Sequence, residues 1–148
     1  MPASITRRTP PMVEQTLTDS CWAASLQSWS RADGRIPNQD QQALIARYGE
    51  GATGAITPTV KIPQIAASLN LRQGAFRRQD LVPYLQSHLG NSHVFCAYTV
   101  GEFTHAVVIY RLSERDNISY MDPNGGRDRS NSVAWFKDRE PFVMMRVP

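Results

Sequence analysis

The sequence predicts an α+β domain, helices first and an antiparallel sheet after, on three observations. As far as Leu89, apolar residues recur at helical spacing; from Val94 onward they gather into short runs rich in β-branched and aromatic residues. The gaps between those later runs have hairpin length, which joins neighbouring strands antiparallel. The third observation is size: 148 residues, 41% of them hydrophobic, suit one core, and no composition break marks a second domain.

Residues 1–14 read as an arm with Pro10 and Pro11 as turn formers, and residues 15–148 as a single domain. From Thr18 to near Gly34 the pattern is helical. Trp22, Leu26 and Trp29 recur four and three residues apart as a buried stripe, and Thr18, Asp19 or Ser20 can accept from the orphan amides of the first turn. Asn38 to Tyr48 reads as a second helix, stopped by Gly49, with Ala43, Leu44 and Tyr48 as its apolar side. Residues 49–58 form a loop rich in Gly and Thr. Pro63, suited to a first turn, opens a short third helix to Leu69, and a fourth runs from Asp80 to Leu89 before Gly90. Strands are expected over residues 94–100, 105–112, 118–121 and 142–147, with Asn124-Gly125-Gly126 as a turn.

Lys and Arg outnumber Asp and Glu by 16 to 13, but the cations are scattered apart from Arg7-Arg8, Arg72 and Arg77-Arg78. A nucleic-acid reader shows a dense basic stripe with interleaved aromatics, so nucleic acid is not an expected partner. Two cysteines are too few for a disulfide framework and fit a reducing compartment. The first fourteen residues hold no apolar run for a signal-peptide core, and no segment approaches the length of a membrane span. The expected location is the cytoplasm, or a target cell reached by a route other than general secretion. Cys21, Cys96, His93 and His105 lack finger-like spacing, so no metal is expected, and no cofactor. The glycines after Asn124 lack the lysine and the following helix of a phosphate loop.

Chemistry concentrates on few side chains. A thiol attacks as thiolate, and Cys21 falls at the start of a helix, where first-turn amides and the macrodipole favour negative charge. Cys96, mid-strand among Val94, Phe95 and Ala97, reads as core. Of the histidines, His88 near a helix C-terminus and His93 beside Gly90 read as ordinary. His105 instead puts a polar side chain at the mouth of the buried run Ala106-Val107-Val108-Ile109-Tyr110, and is the candidate base. If the chain turns at residues 114–117, Ile118 to Asp122 returns antiparallel beside it. Neighbouring strands lie about 4.8 Å apart, which brings Asp122 within reach of the imidazole to accept its proton and fix its tautomer.

Ser20-Cys21-Trp22-Ala23-Ala24-Ser25 resembles the segment around the nucleophile of papain and the cathepsins, and Gln15 stands six residues before the cysteine, the spacing of that family's oxyanion glutamine. His105-Ala106-Val107-Val108-Ile109, followed by Asp122-Pro123-Asn124-Gly125-Gly126, resembles the second half of the papain-like peptidases that cut double-glycine leaders in bacteriocin exporters, and of related bacterial effector proteases. The resemblance covers residues 15–25 and 104–126. It implies a papain-like fold with the nucleophile at the start of the first main helix, and a cysteine protease with Cys21 as nucleophile, His105 as base, Asp122 as the orienting acid and Gln15 in the oxyanion hole. The implied partners are a protein or peptide substrate and, for an effector or toxin, an immunity or inhibitor protein. The chain departs from papain in its shortness, in lacking Cys-Gly before Ser20, and in Asp as the third residue, which leaves Asn124 as the alternative. It carries Trp22 where the leader peptidases place glycine. The same order of Cys, His and Asp also serves glutamine deamidases, transglutaminase-like enzymes, acyltransferases and peptidoglycan amidases, and a non-catalytic binding domain can retain the fold.

Overall fold

A computed structural model of the chain describes residues 4–74 and 76–148; the first three residues of the expected arm lie outside them. Helix α1 (Cys21–Ala32) is buried over ten of its twelve residues, so it is a core helix and not a surface one. Its apolar stripe is the predicted Trp22, Leu26 and Trp29, and its serines settle their polarity on neighbours. Ser25 Oγ donates to the Ala106 carbonyl at 3.1 Å, and Ser28 Oγ to that of Pro11 at 2.6 Å. Buried hydroxyls are cheap only when bonded in this way, and here the bonds tie the helix to the sheet and to the N-terminal segment.

Helices α2 (Gln41–Tyr48) and α3 (Pro58–Leu69) follow. The Asp40 carboxylate caps α2 by accepting from the Ala43 amide. Helix α3 begins five residues before the proline that sequence reading takes as its start. Pro58 takes the first-turn place, and Pro63 sits inside the helix. A single 3-10 turn, Arg78–Asp80, leads into α4 (Leu81–His88).

Among the described residues the sheet has seven strands, with every pairing antiparallel. They are β1 (Ile5–Thr6), β2 (Arg72–Gln73), β3 (Val94–Val100), β4 (Phe103–Leu112), β5 (Asn117–Asp122), β6 (Arg127–Ser132) and β7 (Val143–Arg146); helix α5 (Val133–Asp138) lies between the last two. The order is β2-β7-β3-β4-β5-β6. β1 takes over the side of β4 where β3 ends, setting Thr6 against Arg111 and Ile5 against Leu112. The expected arm is therefore strapped along the sheet.

Run order suggests helices on one side of the sheet. The structure covers both sides, because β3 buries five consecutive residues, Val94 to Tyr98, and so has two apolar faces. Phe95, Val108, Met121 and Met145 pack with α1, α2 and α3. Val107, Ile109, Tyr120 and Met144 pack with Leu81 and Leu85 of α4 and Phe136 of α5.

The ladder between β4 and β5 is irregular. Ile109 pairs with Tyr120, but Arg111 pairs with Ser119, so Tyr110 is an extra residue on β4. The Arg7 amide donates to the Tyr110 carbonyl at 2.7 Å, so the N-terminal strap holds the bulge.

Candidate active site

Cys21 is the first residue of α1, with Ser20 at the cap position. The expected side-chain cap is absent. The Ser20 hydroxyl turns back to Leu17, accepting from its amide at 3.0 Å and donating to its carbonyl at 3.2 Å. No side chain caps the first-turn amides, and no acidic residue occupies that turn. The Ala23 and Ala24 amides donate to the Ser20 carbonyl, so it is the amides of Cys21 and Trp22 that can serve an anion, which is what a thiolate or an oxyanion at this point requires.

His105 lies on β4 directly opposite Tyr98 of β3, with the two rings edge to face at 5.6 Å. Its Nε2 donates to Asp122 Oδ1 at 2.6 Å. A carboxylate only accepts, so Nε2 carries the proton and Nδ1 is the nitrogen left for the thiol. Asp122, 2% exposed, takes two further donors: the Asn124 amide at 2.9 Å on Oδ1 and the Arg129 guanidinium at 3.2 Å on Oδ2. Asn124 thus meets the site through its backbone, and it is the Asp122 carboxylate that faces the imidazole.

Burial opposes charge on His105, but the hydrogen bond to the Asp122 carboxylate and the neighbouring Cys21 outweigh that and push it up to about 9. Burial likewise opposes charge on Asp122; the His105 bond, the Asn124 amide and the nearby Arg129 overcome it and hold the carboxyl below its ordinary range.

Gln15 lines the same cleft as Cys21. Its backbone amide donates to the Pro123 carbonyl at 2.9 Å, linking it to the turn that follows Asp122. The side-chain Nε2 donates to the carbonyls of Leu17 at 3.0 Å and Thr18 at 2.7 Å, while Oε1 is buried without a partner. Both N–H groups are thus engaged, and one must swing away to reach a substrate oxygen.

Two cavities meet at Cys21, His105, Phe103 and Thr104. The first, about 210 Å³, is apolar, with Trp22, Ile56, Pro58, Ile62, Ala97 and Phe142 among its walls. The second, about 600 Å³, carries Gln15, Asp122, Asn124, Arg129, Trp135 and Arg139. Trp22 helps shape the first by donating its indole N–H to the Gly54 carbonyl at 2.8 Å, which pins the 49–58 loop beside the start of α1.

The remaining candidates lie elsewhere. Cys96 is fully buried in β3, where burial pushes its thiol up. His93 is buried and donates from Nε2 to the Arg8 carbonyl, and His88 packs on Tyr84. Among the described residues no cluster of His, Cys, Asp or Glu could hold a metal ion, and no helix is long and apolar enough to cross a membrane. Arg129, Trp135 and Arg139 were not singled out from the sequence. Only the aromatic-basic composition of residues 129–139 hints at them.

A helix that delivers a cysteine to the edge of an antiparallel sheet bearing a histidine is the architecture of papain-like cysteine peptidases, and this protein is one of them. Residues 4–140 match the family described as papain-like cysteine protease AvrRpt2, and the chain belongs to that family. Among solved structures, the peptidase domain of Streptococcus ComA, a bi-functional ABC transporter involved in quorum sensing, is similar with a TM-score of 0.68 at 18% identity, over 93% of this chain and 98% of that one. The Streptococcus mutans ComA peptidase domain in complex with a small-molecule inhibitor gives 0.56 at 17% identity over the same shares. No curated protein matches the sequence.

Proposed function

We propose that this protease hydrolyses peptide bonds of a protein substrate with Cys21 as nucleophile, His105 as acid and base, and Asp122 holding His105. The observation that carries the reading is the 2.6 Å bond from His105 Nε2 to Asp122, which leaves Nδ1 for Cys21, a thiol at a helix start in the same cleft. His105 Nδ1 takes the Cys21 thiol proton, the resulting thiolate attacks the carbonyl carbon, and the C=O electron pair moves onto oxygen. The Cys21 amide and one N–H of Gln15, released from the Leu17 or Thr18 carbonyl, receive that oxyanion. His105 Nδ1 gives its proton to the amide nitrogen as the C–N bond breaks, and the amine leaves. Water then attacks the thioester while Nδ1 takes its proton; the C–S bond breaks, and a carboxylic acid and the free thiolate result.

The test is mass spectrometry of a bacterial lysate incubated with wild type and, in parallel, with Cys21→Ala. New N-termini formed only by wild type support the reading. Conversion of glutamine to glutamate without cleavage would replace it with a deamidase, and release of stem peptides from purified peptidoglycan would replace it with a wall amidase.

The resemblance of residues 104–126 to bacterial effector proteases further supports action inside a target cell, as an effector or toxin whose cleft an immunity protein covers. Wild type expressed in bacterial cytoplasm should then slow growth where Cys21→Ala does not. Identical growth of the two strains would count against this role.

A further inference from the structure

The two halves of the cleft differ in charge. The apolar half has Asp19 and Glu102 in its walls and neither Lys nor Arg; the one basic group there, His105, is shared with the other half. The half beyond His105 carries Arg129 and Arg139. Its acids are Asp19, at the Cys21 end, and Asp122, whose charge is already spent on His105, Asn124 and Arg129.

Arg139 is built as a receptor. Its guanidinium stacks 3.6 Å over the Trp135 ring and donates one N–H to the Trp135 carbonyl at 2.9 Å. A stacked guanidinium keeps the donors along its edge available, the geometry that matches a carboxylate. Among the described residues no carboxylate pairs with it. Arg129 keeps nearly half its side chain exposed although one N–H is on Asp122.

Chemistry says which half of the substrate meets these groups. His105 must hand its proton to the departing amine, so the residues after the scissile bond run over the imidazole and into the half bounded by Asp122, Arg129, Trp135 and Arg139.

We infer that the enzyme selects an acidic side chain in the first two substrate positions after the scissile bond, bound by Arg139 on its Trp135 platform with Arg129 alongside. This specificity rests on the peptidase reading above. A charge-assisted fork of this kind should favour Glu over Gln in kcat/KM by roughly ten- to a hundredfold.

The experiment takes a peptide from a cleavage site found with wild type and varies those two positions among Glu, Gln and Lys. Wild type should prefer Glu over Gln over Lys. Arg139→Gln should bring the Glu-to-Gln ratio close to one, Arg139→Glu should favour Lys, and Arg139→Lys should keep the acidic preference. Equal rates on the Glu and Gln peptides with wild type, or a preference that survives in Arg139→Gln, would overturn the inference.

A second measurement does not depend on hydrolysis. The rate of Cys21 alkylation by iodoacetate relative to iodoacetamide, scaled to free cysteine, should fall several-fold in Arg139→Gln because the cleft loses a cation that attracts the anionic reagent. An unchanged ratio would sink the cationic pocket. Absence of Cys21-dependent cleavage of any peptide would sink the peptidase reading instead and leave this ratio to judge the pocket.

Discussion

Asp122 reaches His105 because the β4–β5 ladder slips by one residue at Tyr110. With the slip, Val108 faces Met121, and continuing that register sets Asp122 opposite Val107, on the same side of the sheet as His105 two residues away. Without it, Arg111 opposite Ser119 would extend to Val108 opposite Asp122, and the carboxylate would point into the face that packs on α1. One inserted residue thus decides which side of the sheet receives the acid. The bulge is fastened by the Arg7 amide on its carbonyl and by the Tyr110 hydroxyl, which donates to Asp128 at 2.7 Å.

The Asp122 bond is expected to show in the pH profile. In the proposed mechanism His105 donates to the leaving amine only while protonated, so kcat/KM should fall as pH rises through about 9. In Asp122→Asn the charge that helps hold the imidazolium is gone, and the basic limb should move to lower pH. Asp122→Ala should also cost roughly a hundredfold or more in kcat, because the ring loses its orientation. A basic limb that stays in place in both variants would show that Asp122 does not set the His105 proton.

Stability should depend on pH through His105 in one direction and through His93, with the more exposed His88, in the other. His105 is raised, so its contribution is full below the ordinary 6.5 and is lost as pH climbs through about 9. His93 is lowered, chiefly by burial, and its Nδ1 has no partner, so its contribution is full above 6.5 and is lost as pH falls below that value. Asp122, held below the carboxylate value of 3.8, gives way only at more acid pH. Urea midpoints should therefore fall on both sides of 6.5. His93→Gln should flatten the acid side above pH 4.5 except for the share of His88, and His105→Gln the alkaline side.

Four helices and four strands were legible because their residues repeat at the helical or the strand period. β6 was not: Arg127-Asp128-Arg129-Ser130-Asn131-Ser132 is an edge strand with almost every residue exposed, so no buried face imposes alternation on its sequence. β1 and β2, two residues each, and the six-residue α5 are set by their neighbours rather than by local pattern. In the site, Cys21, His105 and Asp122 stood out because their residue types are out of place at a helix start and at the ends of buried strands. The bulge was invisible, since Tyr110 reads as one more strand residue. Arg129 and Arg139 were equally hidden, because a surface arginine looks the same whether or not the fold turns it into a cleft.

The 49–58 loop should be held closed by two contacts. Trp22→Phe removes the donor to the Gly54 carbonyl and should cost about 1–3 kcal/mol for the group left unpaired. Gly54 has φ of +73°, and an added Cβ would lie 3.0 Å from Leu17 Cδ1 and 3.3 Å from Ser20 Cβ, so Gly54→Ala should be strained at the very start of α1. Both variants should raise KM for substrates that fill the apolar half of the cleft. Unchanged KM and urea midpoint in both would show that the loop is held by other contacts.

Gln15 provides the sharpest separation of binding from chemistry. Its Nε2 rests on the carbonyls of Leu17 and Thr18, and no other orientation of the amide suits that site, because a flip would set Oε1 against two acceptors. In the resting cleft the amide is therefore a donor aimed at backbone. On the proposed mechanism it becomes an oxyanion donor only when charge on the substrate oxygen competes for one N–H, in the transition state and not in the bound substrate. Gln15→Ala should accordingly lower kcat by roughly a hundred- to a thousandfold with little change in KM. Gln15→Glu should do no better, since its carboxylate repels both the two carbonyls and the oxyanion. Cys21 alkylation by iodoacetamide forms no oxyanion and should keep close to its wild-type rate in Gln15→Ala. If alkylation slows in parallel with hydrolysis, the glutamine is holding the start of α1 in place rather than stabilising the intermediate.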